Sequence, residues 1–506
     1  MAEGGGGTAG GAALAAAPIV LILVAMLWRT WSAARAGAFG LALALVLAAT
    51  AFDWRAPAPY AWVAAEGAFL SATILWILWP ALALHLHQQR IGALDRLRAG
   101  LQQLAPEPVL QALLVGWFLA LFFEGAAGFG TPVALAAPVL VGLGVAPLRA
   151  VVIALLGHAA GVSFGALGTP ATTQVALTGV DAVGLAWRTA LLHTLLGMLL
   201  MAFFVRALPE QVGAGRQRWA WGAFAAAAFL LPSLAIAAWL GPELPTLAGA
   251  LLGGAAFALA LRARTGAAPS RHEGATGGFA RAVAPYAVLV ALVLVTRAIP
   301  AIAARLGDLV LQWQHGPFGG RMAVLTHPGT LLFAAMLIGA ALQRAPRSGV
   351  VAALRESARR LVPVTLALLA MLCLSRLMLH AGLVQALERA AVAGLGGAWP
   401  LVAPAVGALG SFVTGSATAS NVLLTSLQAQ TAQSLALPVT WIVAAQNFGA
   451  AVGNMICPHN IVAGAATVGA AGREAEILRR TLLPCLAYLA LGGALLFVLL
   501  RLAAAA

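Results

Sequence analysis

Apolar stretches long enough to cross a hydrocarbon core recur along the whole sequence, for example at 13–28, 35–52, 219–240 and 481–500. A spanning helix takes about 20 residues. In lipid only helices and closed barrels satisfy every backbone polar group internally, and these runs have helical length. The expectation is an all-α polytopic membrane protein of about 12 to 14 transmembrane helices. Only 9% of the 506 residues are charged, where a soluble domain carries roughly a quarter.

The formal charge of +14 raises the question of a nucleic-acid partner, but every basic residue is Arg and most lie in short connections between apolar runs. Arg29 and Arg35 flank one connection. Others hold Arg90, Arg96 and Arg98; Arg206, Arg216 and Arg218; and Arg262, Arg264 and Arg271. The densest set is Arg344, Arg347, Arg355, Arg359 and Arg360. By the positive-inside rule these connections face the cytoplasm. One crossing before Arg29 and three before Arg90 then place the N-terminus outside, and no nucleic-acid face is expected. The Gly/Ala-rich leader lacks a basic n-region, so no cleaved signal is expected. Cys373, Cys457 and Cys485 are too few and scattered for a disulfide framework or a zinc site, and neither metal nor cofactor is expected. Trp28, Trp31, Trp54 and Trp79, at the ends of apolar runs, read as an aromatic belt.

Four segments interrupt the apolar pattern: FFEGAAGFGTP at 122–132, FGALGTPATTQ at 164–174, GSFVTGSATASN at 410–421 and GAAVGNMICPHN at 449–460. Gly130-Thr131 and Gly168-Thr169 are 38 residues apart, as are Gly415-Ser416 and Gly453-Asn454. Corresponding interruptions in two halves predict an internal repeat, each half with a pair of broken helices. An odd number of helices between the motif pairs favours inverted topology. The division is an N-terminal membrane repeat over 1–262, a cytoplasmic linker over 263–280 and a C-terminal repeat over 281–506.

A broken helix exposes backbone N–H and C=O groups that a buried polar cavity can satisfy and lipid cannot. Its half-helix N-terminus offers donors and a positive dipole to an anion. Pro132, Pro170 and Pro458 stop the ladder, while Gly130 and Gly168 let a ligand approach the backbone. Thr131, Thr169, Thr172, Thr173, Ser416, Thr418, Ser420, Asn421, Asn454, His459 and Asn460 supply polar groups. These are the candidate binding residues for a small polar anion. Small residues also serve plain helix packing, and that reading is assigned to Gly125, Gly128, Gly142 and Gly144.

At these motifs, EGAAGFGTPVA, FGALGTP, GSFVTGSATASNVL and GNMICPHN, the sequence resembles the bacterial lactate permease family over nearly its whole length. The resemblance implies import of L-lactate, D-lactate or glycolate by proton symport through the bacterial cytoplasmic membrane. One departure is plain: the family's final motif commonly carries Lys and Gln where this chain has Asn454 and His459.

A charge at the bilayer midplane is costly, so each intramembrane ionisable group is a functional candidate. Glu124 directly precedes the first break and is the leading proton-coupling candidate, with His158 ranked below it. His193, Arg376 and His380 read as groups near helix ends that snorkel. The polar stretch from Arg297 to Arg321 reads as an interfacial segment on the outer face. An intramembrane enzyme would need an acidic metal cluster, a HExxH helix or a Gly-x-Ser-x-Gly turn, and the four Asp are unpaired. A static channel suits two pairs of broken helices less well than a moving site. The reading is a secondary transporter, coupled to protons or alternatively to sodium held by groups at GSATASN.

Overall fold

The computed structural model describes residues 9–29, 31–93, 96, 107–126, 128, 131–208, 215–265, 273–470 and 473–505. The first half runs α1 (Ala9–Trp28), α2 (Ala33–Thr50), α3 (Ala58–Arg90), α4 (Val109–Ala126), α5 (Thr131–Gly142), α6 (Pro147–Ala159), α7 (Gly165–Thr178), α8 (Ala182–Ala207), α9 (Arg216–Leu240) and α10 (Pro245–Thr265). After α11 (Glu273–Ala298) and α12 (Pro300–Gly307) comes a hairpin of β1 (Val310–His315) and β2 (Phe318–Ala323). Then follow α13 (Pro328–Leu342), α14 (Arg347–His380), α15 (Leu383–Leu395), α16 (Trp399–Thr414), α17 (Ala417–Ser434), α18 (Val439–Gly453), α19 (Pro458–Thr467) and α20 (Glu474–Ala505).

Among the described residues eight helices are long and apolar enough to cross a membrane, and α6 with α7, bent by 58°, makes a ninth. Five apolar helices of 10–17 residues accompany them; the expected about 12 to 14 crossings are reached only when some of these are counted. The chain is a multi-pass helical membrane protein. Two stretches read from sequence as connections have regular structure. The stretch 263–280 is helical at both described ends, in α10 and α11, with 266–272 outside the described residues. The segment 297–321 folds into a short helix and an antiparallel hairpin in the register Val310↔Ala323 to His315↔Phe318. Trp313 and His315 stack on Trp62 of α3 at 6.1 and 4.0 Å, which seats the hairpin on the bundle end.

At 33 residues α3 is about 50 Å long, well beyond a hydrocarbon core of about 30 Å. It packs along α14, which also lies on α2. At one end of this pair Arg90 and Arg360 both bond the Glu356 carboxylate. A second block forms from α16, α17 and α18 packed on one another, with α7 against α17. Close crossings hold the blocks: a Cβ on Gly157 of α6 would overlap the carbonyl of Gly116, and one on Gly449 of α18 that of Pro404. Gly116 lies in a π-helical stretch, Leu114–Leu119, within α4. Beside it Trp117 packs edge-on to Phe204 and Phe229 at 5.8 and 5.9 Å. Gly157→Ala should therefore lower the thermal midpoint of purified protein, since overpacking costs about 1–3 kcal/mol; an unchanged melting curve would contradict the crossing.

The second break of each half has the same order of elements. A straight helix, a 3₁₀ turn and a second helix follow one another as α6, Val162–Phe164, α7 and again as α18, Asn454–Ile456, α19.

Candidate functional site

All four interruptions contribute to one cleft. The first half supplies Glu124, Gly128, Val162, Gly165, Ala166 and Pro170; the second supplies Gly415, Ser416, Ala417, Thr418 and Asn454. The segment geometry explains the opening. Within the first turn of α7 the chain passes through three successive left-handed residues, Ala166, Leu167 and Gly168, at φ 42°, 56° and 76°. A left-handed conformation costs a non-glycine residue about 1–2 kcal/mol. Such strain persists where the surrounding fold imposes it, as at ligand sites. Thr169 Oγ1 closes this turn by donating to the Ala166 carbonyl at 2.6 Å. In the second half α16 ends on Gly415 at φ 78° and α17 starts at once, with the Ser416 hydroxyl accepting from Ala419 N–H at 3.4 Å. The first N–H groups of a helix have no intrahelical partner, and Ala417 and Thr418 carry two of them beside the cleft.

The deepest ionisable groups in this region are Glu124 and His158, 4% and 0% exposed. His158 Nδ1 lies 3.0 Å from Glu124 Oε2, and its Nε2 has no hydrogen-bond partner among the described residues. The other carboxyl oxygen rests between two glycines. A Cβ on Gly165 would overlap Glu124 Oε1, and one on Gly128 would stand 3.5 Å from it. The acid thus bridges an imidazole and the cleft. The pairing exists because α6 crosses α4 closely at Gly157 and Gly116, one residue from His158.

A profile of the family described as L-lactate permease matches residues 11–316 and 317–503. The chain belongs to the L-lactate permease family. It is 28% identical over 513 residues to the glycolate permease GlcA of Escherichia coli K12, covering 92% of this chain and 91% of that one. It is 29% identical over 457 residues to an L-lactate permease of Salmonella typhimurium, covering 81% of each. With an L-lactate permease of Bacillus subtilis it shares 27% identity over 523 residues, 92% of this chain and 91% of that one.

In this family member the residues singled out from sequence divide by position. Glu124, Ser416, Thr418 and Asn454 line the cleft, and His158 stands behind Glu124. Asn460 is buried against Asn454, with its Nδ2 donating to the Asn454 carbonyl at 3.2 Å. His459 is exposed, its Cβ 3.4 Å from where a Gly415 side chain would begin. Gly130 lies outside the described residues, and Thr131 is described only as the first residue of α5. Gly168 does not line the cleft; its missing side chain makes room for the Pro242 carbonyl. Thr169, Thr172 and Thr173 donate to carbonyls of the same break, at 2.6, 3.2 and 2.8 Å.

Ser420 and Asn421 face away into a buried amide network that joins the halves. Asn421 Nδ2 donates to the Pro170 carbonyl at 3.1 Å and to Asn447 Oδ1 at 3.0 Å. Asn447 Nδ2 in turn donates to the Ser163 carbonyl at 3.3 Å. Gln446 Nε2 donates to Ser420 Oγ, and Gln174 Nε2 to Thr425 Oγ1. These side chains set the spacing of α7, α17 and α18. His193 also belongs here, 2% exposed, with Ser163 Oγ 2.9 Å and Tyr488 Oη 3.3 Å from its ring nitrogens, so it does not snorkel.

Four glycines read as helix packing separate likewise. Gly125 packs closely on Leu247, but Gly128 lines the cleft, and Gly142 and Gly144 have nothing within 4 Å of a built Cβ. Sequence reasoning missed Gly165, Gln446 and Asn447, and read Gly415 only as a spacing mark. A Gln-Asn pair inside the apolar run VTWIVAAQNFGAAVG was a usable signal for Gln446 and Asn447.

Ser416→Ala removes a cap and a cleft hydroxyl together. Cap loss costs about 0.5–2 kcal/mol of stability and one neutral hydrogen bond about 0.5–1.5 kcal/mol, so the KM of uptake should rise no more than roughly tenfold, with the protein still folded. A fully inactive, well-folded Ser416→Ala protein would give the hydroxyl a larger role than capping.

Proposed function

We propose that this chain imports a small 2-hydroxymonocarboxylate, lactate or glycolate, across the bacterial cytoplasmic membrane by proton symport. Family membership and the names of its relatives support the substrate class. The observation that carries the coupling is the Glu124–His158 pair, one oxygen against imidazole and the other at the cleft. In this reading the carboxylate of the substrate lies against the first turn of α17, near Ser416, Thr418 and Asn454, where N–H donors and the helix dipole favour an anion. A proton taken at Glu124 is shared with His158 while the anion is bound, so the cleft moves with no net charge added by the substrate. The two halves act as repeats about this site. The Arg-rich end of α3 and α14 faces the cytoplasm and the N-terminus the periplasm, following the Arg distribution.

The test is counterflow in proteoliposomes loaded with unlabelled lactate. External labelled lactate should enter, and L-lactate, D-lactate or glycolate should compete while a dicarboxylate should not. Absence of exchange with every 2-hydroxymonocarboxylate would overturn the substrate class.

A further inference from the structure

Away from the cleft the bundle buries a second group of charges. Glu66 of α3 is 7% exposed and faces two residues of α14. His380 Nε2 lies 2.8 Å from Glu66 Oε2, and Arg376 Nη1 lies 3.8 Å from Glu66 Oε1. Arg376 is 4% exposed; its Nη2 donates to Ser426 Oγ of α17 at 2.9 Å, and its Nε has no hydrogen-bond partner among the described residues. These groups do not snorkel. The Phe318 ring of β2 lies 4.5 Å from the His380 ring, so the hairpin covers the cluster, while His380 keeps 14% of its side-chain surface open. On the same helices Leu377, Met378, Leu423 and Leu424 belong to one buried apolar cluster.

The two contacts to Glu66 are unequal. At 2.8 Å the imidazole makes a full hydrogen bond, whereas 3.8 Å is beyond hydrogen-bond reach for the guanidinium. We infer that Glu66, Arg376 and His380 form a second proton-binding site, separate from the cleft, which holds the proton on His380 against Glu66. With that proton in place the Glu66 carboxylate is satisfied by imidazolium, and Arg376 stays on Ser426. When the proton leaves to water, Arg376 is the one cation of the cluster left to balance Glu66 and is drawn towards it from α17. That helix lines the cleft with its first turn, so the second site bears on the same element as the substrate. Glu66 precedes Arg90 by 24 residues of α3, about 36 Å at the helical rise. The site therefore lies at the end away from the Arg-rich cluster, on the periplasmic side in the orientation proposed above. The titratable groups on neighbouring elements are Arg35 of α2, Tyr60 of α3, His315 and Arg321 of the hairpin, and Glu388 and Arg389 of α15. Asp53 and Arg55, just after α2, pair with each other at 3.0 Å.

The test uses the purified full-length protein with ¹⁵N-labelled histidine and no substrate. His380 is assigned by the signal lost in His380→Gln, and its imidazole is followed between about pH 5 and 8, where histidine changes charge. The expected result is that His380 gains a proton in this range in the wild type and not in Glu66→Gln. A His380 that keeps one protonation state throughout in the wild type would overturn the inference, and so would unchanged titration in Glu66→Gln. The wild-type titration decides alone if that variant does not fold. Because no substrate is present, neither outcome depends on what the cleft carries.

Discussion

Gly165→Leu is expected to lower uptake by two orders of magnitude or more in protein that still inserts. A side chain there would occupy the space of Glu124 Oε1 and push the acid off His158. Overpacking costs about 1–3 kcal/mol and a buried polar group left without its partner about 1–3 kcal/mol more, together about two factors of ten or more in a rate or affinity. The matching control is Gly142→Leu, where a built Cβ meets nothing within 4 Å and uptake should stay near wild type. Gly168 is a poorer probe. It is left-handed at φ 76° and its Cβ would overlap the Pro242 carbonyl, so Gly168→Leu should fail in folding before it fails in transport. Labelled uptake, normalised to protein recovered as a monodisperse peak, separates these cases. Wild-type uptake by Gly165→Leu would remove the acid from the site.

The second large effect is a split between two activities. Glu124→Gln keeps the size and hydrogen-bonding shape of the side chain but cannot give up a proton. Substrate exchange across the membrane should persist, because it needs only the loaded carrier. Accumulation above the equilibrium distribution should vanish, because nothing then links the proton gradient to the substrate. His158→Gln should weaken accumulation without removing it, as Glu124 would keep its proton but lose the partner 3.0 Å away. Accumulation in Glu124→Gln equal to wild type would place the coupling elsewhere.

Much of the architecture was legible because Gly, Pro, Thr and Asn inside apolar runs mark where a membrane helix cannot continue, and those marks fall at the breaks. Glu124 was legible for the same reason, as a carboxyl directly against an interruption. His158 was named as a second candidate, but its pairing with Glu124 was not legible, since the two are 34 residues apart and meet only through a helix crossing that no local pattern encodes. Nor does composition say which side of a broken helix faces the cavity. Ser420 and Asn421 look like Ser416 and Thr418 in the string, yet one pair holds α7 to α18 and the other lines the cleft. Among the glycines, Gly165 and Gly168 were indistinguishable until the neighbouring chain was in place. Arg376 and His380 resembled snorkelling groups because the acid that pairs with them, Glu66, sits more than 300 residues earlier.

Substrate and proton should enter together through the Glu124 cleft, and one recording decides between this and uncoupled or sodium-driven entry. Labelled lactate entry and external pH are followed together in proteoliposomes with no sodium present and no pre-set gradient other than lactate itself. Wild-type protein should alkalinise the medium as label enters, whereas Glu124→Gln, in vesicles preloaded with lactate, should exchange label with no pH change. Label entry in the wild type without alkalinisation, entry that begins only when sodium is added, or normal alkalinisation by Glu124→Gln would rule out proton coupling through Glu124.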